Sequence, residues 1–302
     1  MSDGDGRIGG VVDVGAVRES GQPGLFPEPL RLFTCTPSKL VSYEECPRRY
    51  RFTYLDRPPP PKGPPWAHNS LGASVHTALR AWFDLPPAKR ALTMVDPLLR
   101  ATWVRDGYRD EEQERQAFAR AQQWLVSYLE SLDPSFEPLA VERTVGAKTA
   151  TLALSGRVDR IDEAGDELVI VDYKTGRTGL GQDDARASRA LALYAYAAAR
   201  LFRRPCRRVE LHHLPTGTVA AHEHTDESIA RHVRRAEQTA ADAVAAEKAV
   251  AAGGDPDVAF PAQPGGICGW CDFRRACPAG STRAGHDSWA GLDRGLDPAV
   301  LD

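Results

Sequence analysis

The sequence predicts an α/β protein, a core of a three-strand meander, a helix and a further strand, decorated by helices at both ends. Three observations carry this. Segments 139–147, 150–163 and 167–175 read as consecutive strands, with an EAGD turn signal between the last two. A strongly apolar helical segment at 185–202 follows them, and a fourth strand, RRVELHHLP, follows that helix. Helical patterning fills most of residues 38–132 and returns at 227–252.

SKLVSYEECPRRYRFTYL (38–55) reads as the first helix, with Ser38 as its N-cap ahead of the periodic apolar positions. The RPPPPKGPP run at 57–65 is a stiff polyproline-like loop, not a domain boundary. SLGASVHTALRAWFD (70–84) is the second helix. MVDPLLRATWVRDG and residues 110–132 give two more. The three strands that follow form an antiparallel meander. After the fourth strand, a Thr216-Gly217 turn leads into TVAAHEH, and then a long amphipathic helix begins. Residues 1–30 and 281–302 are expected to be disordered, being rich in Gly, Pro and charge. Residues 31–280 are expected to form a single domain.

Of the 302 residues, 42% are apolar and 26% charged, as in ordinary globular domains. The net charge of -3 provides no global basic field, so any nucleic-acid contact must use local patches. No run of about 18 apolar residues predicts a membrane span. The N-terminus lacks a signal-peptide pattern, and a cytoplasmic location is expected. Six cysteines are few for a disulfide scaffold of this length and suggest a metal or cluster site.

VIVDYKTG (169–176) is the most informative strand. Alternation puts Asp172 and Lys174 on one side and Val171 and Tyr173 on the other. Alone, this pattern also describes a surface salt bridge at a strand end. GRVDRID changes the reading, because it places Asp159 where a paired strand brings it towards Asp172; the plain alternative is an ion pair of Asp159 with Arg157 or Arg160. Two nearby carboxylates repel, and one pKa rises unless a cation holds them. A hard divalent ion takes such oxygen ligands, polarises a phosphodiester and lowers the pKa of a bound water.

These segments, with Glu142 in VERTV, resemble the PD-(D/E)xK nuclease superfamily. Within it they look like the RecB-like exonuclease group, which includes the CRISPR-adaptation nucleases and AddB helicase–nuclease subunits. The resemblance implies a restriction-endonuclease-like core. It implies metal ligation by Asp159 and Asp172, support of the attacking water by Lys174, and a secondary acidic position at Glu142. LGASVHTALRAWF matches the group's Gly-x-x-x-His context through Gly72 and His76, and the resemblance implies that His76 is a further metal ligand; the plain alternative is a core or surface histidine. Imidazole suits Mn2+ better than Mg2+. Tyr194 in LALYAY matches a substrate-side tyrosine of the group. The glutamine about one turn before it is replaced by Ala190, or by Arg189 on a shifted alignment.

Near the C-terminus, Cys268, Cys271 and Cys277 lie in a C-x2-C-x5-C spacing that lacks a fourth ligand. Ligand count alone leaves Zn2+, [2Fe-2S] and [4Fe-4S] open. In iron–sulfur members of the group, a cysteine from a CPRRY-like N-terminal helix completes such a set. The resemblance therefore implies that Cys46 in ECPRRY is the fourth ligand and that the group is [4Fe-4S]. Cys206 reads as core, and Cys35 lacks the Pro-Arg context of Cys46. Docking the two segments would gather Arg48, Arg49, Arg51, Arg274 and Arg275 with Tyr50, Trp270 and Phe273. Guanidiniums contact phosphates and aromatics stack on unpaired bases; the plain alternative is a solvated face packed on the cluster.

The expectation is a divalent-metal-dependent DNA nuclease using Mg2+ or Mn2+, acting on single strands or ends in DNA repair or recombination. The alternative is a catalytically weak iron–sulfur module that binds nucleic acid in a repair complex. A zinc-stabilised structural protein is a third reading. No G-x-x-x-x-G-K-[ST] motif occurs, so unwinding would require a helicase partner.

Overall fold

The computed structural model describes residues 32–292. Strand β1 (Phe33–Cys35) leads into α1 (Pro37–Glu45) and α2 (Pro47–Tyr54). Helices α3 (Ala67–Phe83), α4 (Val95–Thr102) and α5 (Glu111–Glu130) follow. The meander is β2 (Ala140–Lys148), β3 (Leu152–Ala164) and β4 (Glu167–Lys174). Then come α6 (Gln182–Ala187), α7 (Arg189–Phe202), β5 (Cys206–His213) and β6 (Thr218–Glu223). The described chain ends with α8 (Asp226–Ala251), α9 (Pro256–Ala259) and α10 (Pro278–Ser281).

The six strands form one sheet. The meander is antiparallel as expected, and β5 runs parallel to β4 after the crossover through α6 and α7. Strand β3 organises the rest. Strand β2 pairs with its residues 153–161 along one edge. Its other edge carries β1 at residues 152–154 and β4 at residues 160–164. Between those two partners, residues 155–159 of β3 face an opening in the sheet.

Apolar side chains from the two faces build two cores. One joins Leu152, Leu154, Val158, Ile161, Leu168 and Ile170 to α7 and α8. The other joins Val169, Val171 and Tyr173 to α3, α4 and α5. Val158 and Ile161 share a face although they are an odd number apart, so the alternation of β3 changes phase across Asp159 and Arg160. Opposite this point Glu142 adopts a left-handed backbone, φ 49, and neither Glu142 nor Asp159 takes part in the β2–β3 register. That conformation costs a non-glycine residue about 1–2 kcal/mol.

Several elements differ from the sequence reading. The helix expected at 38–55 is two helices broken at Cys46, whose backbone is extended at φ -166. Pro47 disfavours helical geometry at the preceding residue and has no N–H to donate. Thr36, rather than Ser38, caps α1 by accepting from Lys39 N–H at 3.1 Å. Ser188 breaks the helix expected at 185–202 and caps its second half. Strand β1 was too short for any periodicity to reveal.

The expected disorder of 281–302 fails for residues 281–292. His286 stacks on Trp270 with centroids 4.1 Å apart, Ser288 carbonyl accepts from Ala67 N–H at 3.0 Å, and Leu292 is buried. These long-range contacts order a segment whose composition favours disorder. The disorder expected for residues 1–30 lies outside the described residues, as does that for 293–302.

Gly156 is required where α7 crosses β3. A Cβ there would lie 2.5 Å from Tyr194 Cε1 and 3.2 Å from Pro37 Cδ. Gly156→Ala is expected to destabilise the protein by about 1–3 kcal/mol in urea unfolding, the usual cost of overpacking. A loss below about 0.5 kcal/mol would show that the ring is not wedged there.

Candidate active site

At the opening on β3, Glu142 and Asp159 come together with His76, while Asp172 lies outside that group, beside Lys174 at the end of β4. Asp172 and Lys174 continue the β4 face that Leu168 and Ile170 bury against α7. Lys174 Nζ lies 2.6 Å from Asp172 Oδ2. That oxygen is buried and still accepts no well-aligned hydrogen bond. Where β4 stops pairing with β3, Tyr173 N–H donates instead to Asp159 Oδ2 at 2.8 Å. The Asp159 side chain thus takes the place of a strand partner, and its carboxylate is fixed by the backbone.

Helix α3 brings His76 to the same point, with Nδ1 3.3 Å from Asp159 Oδ2. Its ring stands edge-on to Tyr173 at 5.8 Å. Among the described residues, His76, Glu142 and Asp159 form the group of metal-ligand types whose ligand atoms all lie within 4.8 Å of one another. They line a pocket of about 240 Å³ with Gly72, Arg80 and Arg157. Arg157 Nε holds Glu142 Oε2 at 2.6 Å. The plain alternative for Asp159, a pair with Arg157 or Arg160, is not what forms.

The electrostatics follow from this crowding. Burial raises the Asp172 pKa; Lys174 pulls it back and the charge of Asp159 adds to the rise, leaving it above the ordinary carboxylate value. Glu142 is raised by burial and then by Asp159, against the pull of Arg157. Burial lowers His76, but the hydrogen bond and charge of Asp159, with Asp172 and Glu142 behind it, more than offset that. Tyr194 is pushed up to about 12 by burial and by the fields of Asp172 and Asp159. Crowded carboxylates with an imidazole beside them have the donor chemistry of a divalent-cation site, since a cation would relieve their mutual repulsion.

The sequence reading missed Arg160. It is 3% exposed and bonds to Asp162, to Tyr128 at 2.8 Å and to Tyr173 at 3.2 Å. Tyr128 continues the network to His212 and Glu210. Its place in the DRID run was the available signal, but the phase change in β3 that turns it inward is a tertiary feature. Arg189, at the shifted glutamine position, is ion-paired with Glu44 on α1.

Cys46, Cys268, Cys271 and Cys277 line one small cavity, although Cys46 lies 222 positions before Cys268. All four are free thiols. The break between α1 and α2 presents Cys46, and Cys277 caps α10. The docking expected of the two segments occurs, but it does not free their arginines. Arg48 and Arg51 pair with Asp257, and Arg49 with Glu45. Arg274 donates to Arg283 carbonyl at 3.1 Å, while Arg275 is exposed. Tyr50 and Phe273 are buried and cannot stack on bases.

Carboxylates and a lysine gathered at an opening in a mixed sheet are residue types that phosphodiester hydrolysis can use. A model of the PD-(D/E)XK nuclease superfamily matches residues 34–278, and the chain belongs to that superfamily. Members usually use Mg2+ or Mn2+. Among solved structures, SSO0001 is similar at 16% identity and TM-score 0.40, with 82% of this chain and 88% of that one covered. A protein of Eubacterium rectale, provisionally called an exonuclease, is similar at 8% identity and TM-score 0.41, with 69% and 79% covered. No curated protein matches the chain. No helix among the described residues is long and apolar enough to cross a membrane.

Asp172, Glu142 and His76 all bind protons more tightly in the fold than when unfolded. The folded state therefore holds more protons than the unfolded chain between the ordinary and raised pKa values, and stability falls as pH rises through that window. In EDTA, the stability of Asp172→Asn relative to wild type is expected to increase from acid to neutral pH in urea titrations. A difference independent of pH would show that Asp172 titrates alike in both states.

Proposed function

We propose that this chain is a divalent-metal-dependent DNA nuclease that acts on single strands or free ends in DNA repair, recombination or related processing. The observation that carries it is the convergence of His76, Glu142 and Asp159, with Asp172 ion-paired to the Lys174 ammonium on the adjoining strand. Asp159, Asp172 and His76 would hold Mg2+ or Mn2+, with Glu142 as an added acidic ligand. The ion, when bound, supplies charge for the phosphate oxygens and lowers the pKa of a bound water. Lys174 orients the attacking water and offsets charge growing on the phosphate. Tyr173 N–H keeps the Asp159 carboxylate in place, and Arg80 and Arg157 line the pocket that the phosphate enters. Tyr194 lies on the substrate side.

Labelled single-stranded DNA, 5′ and 3′ in separate reactions, tests this. Cleavage is expected with Mn2+ or Mg2+ and is lost in EDTA. Asp172→Ala and Lys174→Ala are expected to lower the rate by about a hundredfold or more. Retained activity in either variant would overturn the mechanism. The replaced glutamine at Ala190 favours the second reading, a weakly catalytic binding module in a repair complex, and tight binding without cleavage would select it.

The cysteine set is proposed to hold a [4Fe-4S] cluster. The shared cavity supports it. The cluster would tie the N- and C-terminal segments together and contribute folding free energy. Anaerobically purified protein is expected to be brown, to absorb near ~400 nm and to contain iron and sulfide, all lost in Cys46→Ser. Stoichiometric zinc without iron would exclude the cluster.

A further inference from the structure

A second cavity, larger than the acidic pocket, lies beside it. It encloses about 610 Å³, within the range of about 300–1,000 Å³ typical of ligand sites. Its walls include Trp124 and Arg120 on α5, His68 at the start of α3, Trp270 in the cysteine loop, and the Thr175–Arg177 turn directly after Lys174. Nothing in the hydrolytic chemistry uses it.

Its aromatic wall is built from three remote segments. Trp270 stacks on His286 at 4.1 Å and lies 5.3 Å from Trp66 and 5.5 Å from His68. Trp66 Nε1 donates to Asp272 Oδ1 at 2.7 Å, which fixes the start of α3 to the cysteine loop. Trp270 sits between Cys268 and Cys271, so whatever the cysteines bind also sets its position. Two guanidiniums, Arg120 and Arg177, complete the lining. Arg177 is exposed. The side chains offer flat aromatic surface and positive charge, and no carboxylate lines the cavity.

The cavity and the acidic pocket are neighbours along α3. His68 and Leu71 face the first, and Gly72 and His76 face the second. Thr175 stands between them; a Cβ on Gly72 would meet its Oγ1 at 3.2 Å. From His68 to His76 the helix rises about 12 Å, so a short run of nucleotides spans both.

We propose that this cavity seats an unpaired nucleotide of the DNA strand, its base against the Trp270 and Trp124 surfaces and its phosphates near Arg120 and Arg177, adjoining the phosphodiester being cleaved. This deepens the nuclease reading above and rests on it. A base held in a duplex is stacked and paired on its own strand partners and cannot enter such a cavity, so the site selects single strands. Stacking on aromatic surfaces tolerates any base and gives little sequence preference.

The test uses the full chain in EDTA and single-stranded oligonucleotides carrying 2-aminopurine at successive positions. Fluorescence is expected to be quenched most at one position or two adjacent ones. Trp124→Ala and Arg177→Gln are expected to weaken binding by at least about fivefold. Arg177→Gln should also lower the salt dependence of binding by about one unit of slope. Trp270→Leu should remove the local quenching and Trp270→Phe should keep part of it. If the Trp270 variants misfold, the other two, on separate elements, still decide. Cleavage by wild type with Mn2+ is measured alongside. Cleavage combined with uniform quenching and unchanged binding in both variants would overturn the cavity assignment and leave the nuclease reading intact. Localised quenching without cleavage would keep the cavity assignment and remove the nuclease reading.

Discussion

The hydrogen bond from Tyr173 N–H to the Asp159 carboxylate marks the place on which the candidate site depends. Strand β3 has three partners on two edges, and between β1 and β4 one edge is left without a strand. A backbone N–H facing such a gap must find an acceptor or lose free energy. Asp159 supplies it from within β3, aided by the phase change there and by the left-handed turn of Glu142 opposite. The same irregularity aims Asp159 and Glu142 into one pocket and turns Arg160 into the opposite core. Strain of this kind is tolerated where surrounding structure holds it. Here, the buried network of Arg160, Tyr128, Tyr173 and His212 does so.

A second constraint acts over a longer range. The break at Cys46–Pro47 places a thiol between two short helices rather than along one. That thiol faces a loop more than two hundred residues later. The arginines around it are largely neutralised by Asp257 and Glu45, so their main role is to hold the clasp. Surface pairs of this type contribute little individually, and packing of Phe52 against Phe273 does more to join the segments. The loop in turn carries Trp270 into the large cavity. The clasp, the start of α3 and the segment 281–292 are thereby parts of one wall beside the acidic pocket.

Much of the fold was legible because alternation and apolar periodicity are local signals. The meander β2–β4, the crossover helix and α8 fall close to where patterning places them. Asp172 and Lys174 were legible for the same reason, since a strand of alternating residues dictates which side chains share a face. Strand β1 was not, because three residues carry no period and its parallel pairing with β3 is remote in sequence. The order of residues 281–292 was also hidden, since this Gly-containing, charged sequence gains its structure from remote contacts such as those with Trp270, Ala67, Gly107 and Arg274. Tyr50 offered the opposite error: beside arginines it suggested a stacking surface, yet its ring is buried and its hydroxyl donates to Glu247 at 3.0 Å.

The sequence by itself determined the residue types of the site, the strands that carry Asp159, Asp172 and Lys174, and the pair of segments that hold the four cysteines. The strands follow from local patterning, whereas the pairing of the cysteine segments follows from the family resemblance. Tertiary structure alone decided the rest. It set the opening in the sheet, the convergence of His76 and Glu142 on Asp159, the inward turn of Arg160 and the cavity beside the site. Each of these depends on which edge of β3 stays unpaired and on contacts between residues far apart in the chain. A pattern of neighbours cannot encode that until the sheet has closed around it.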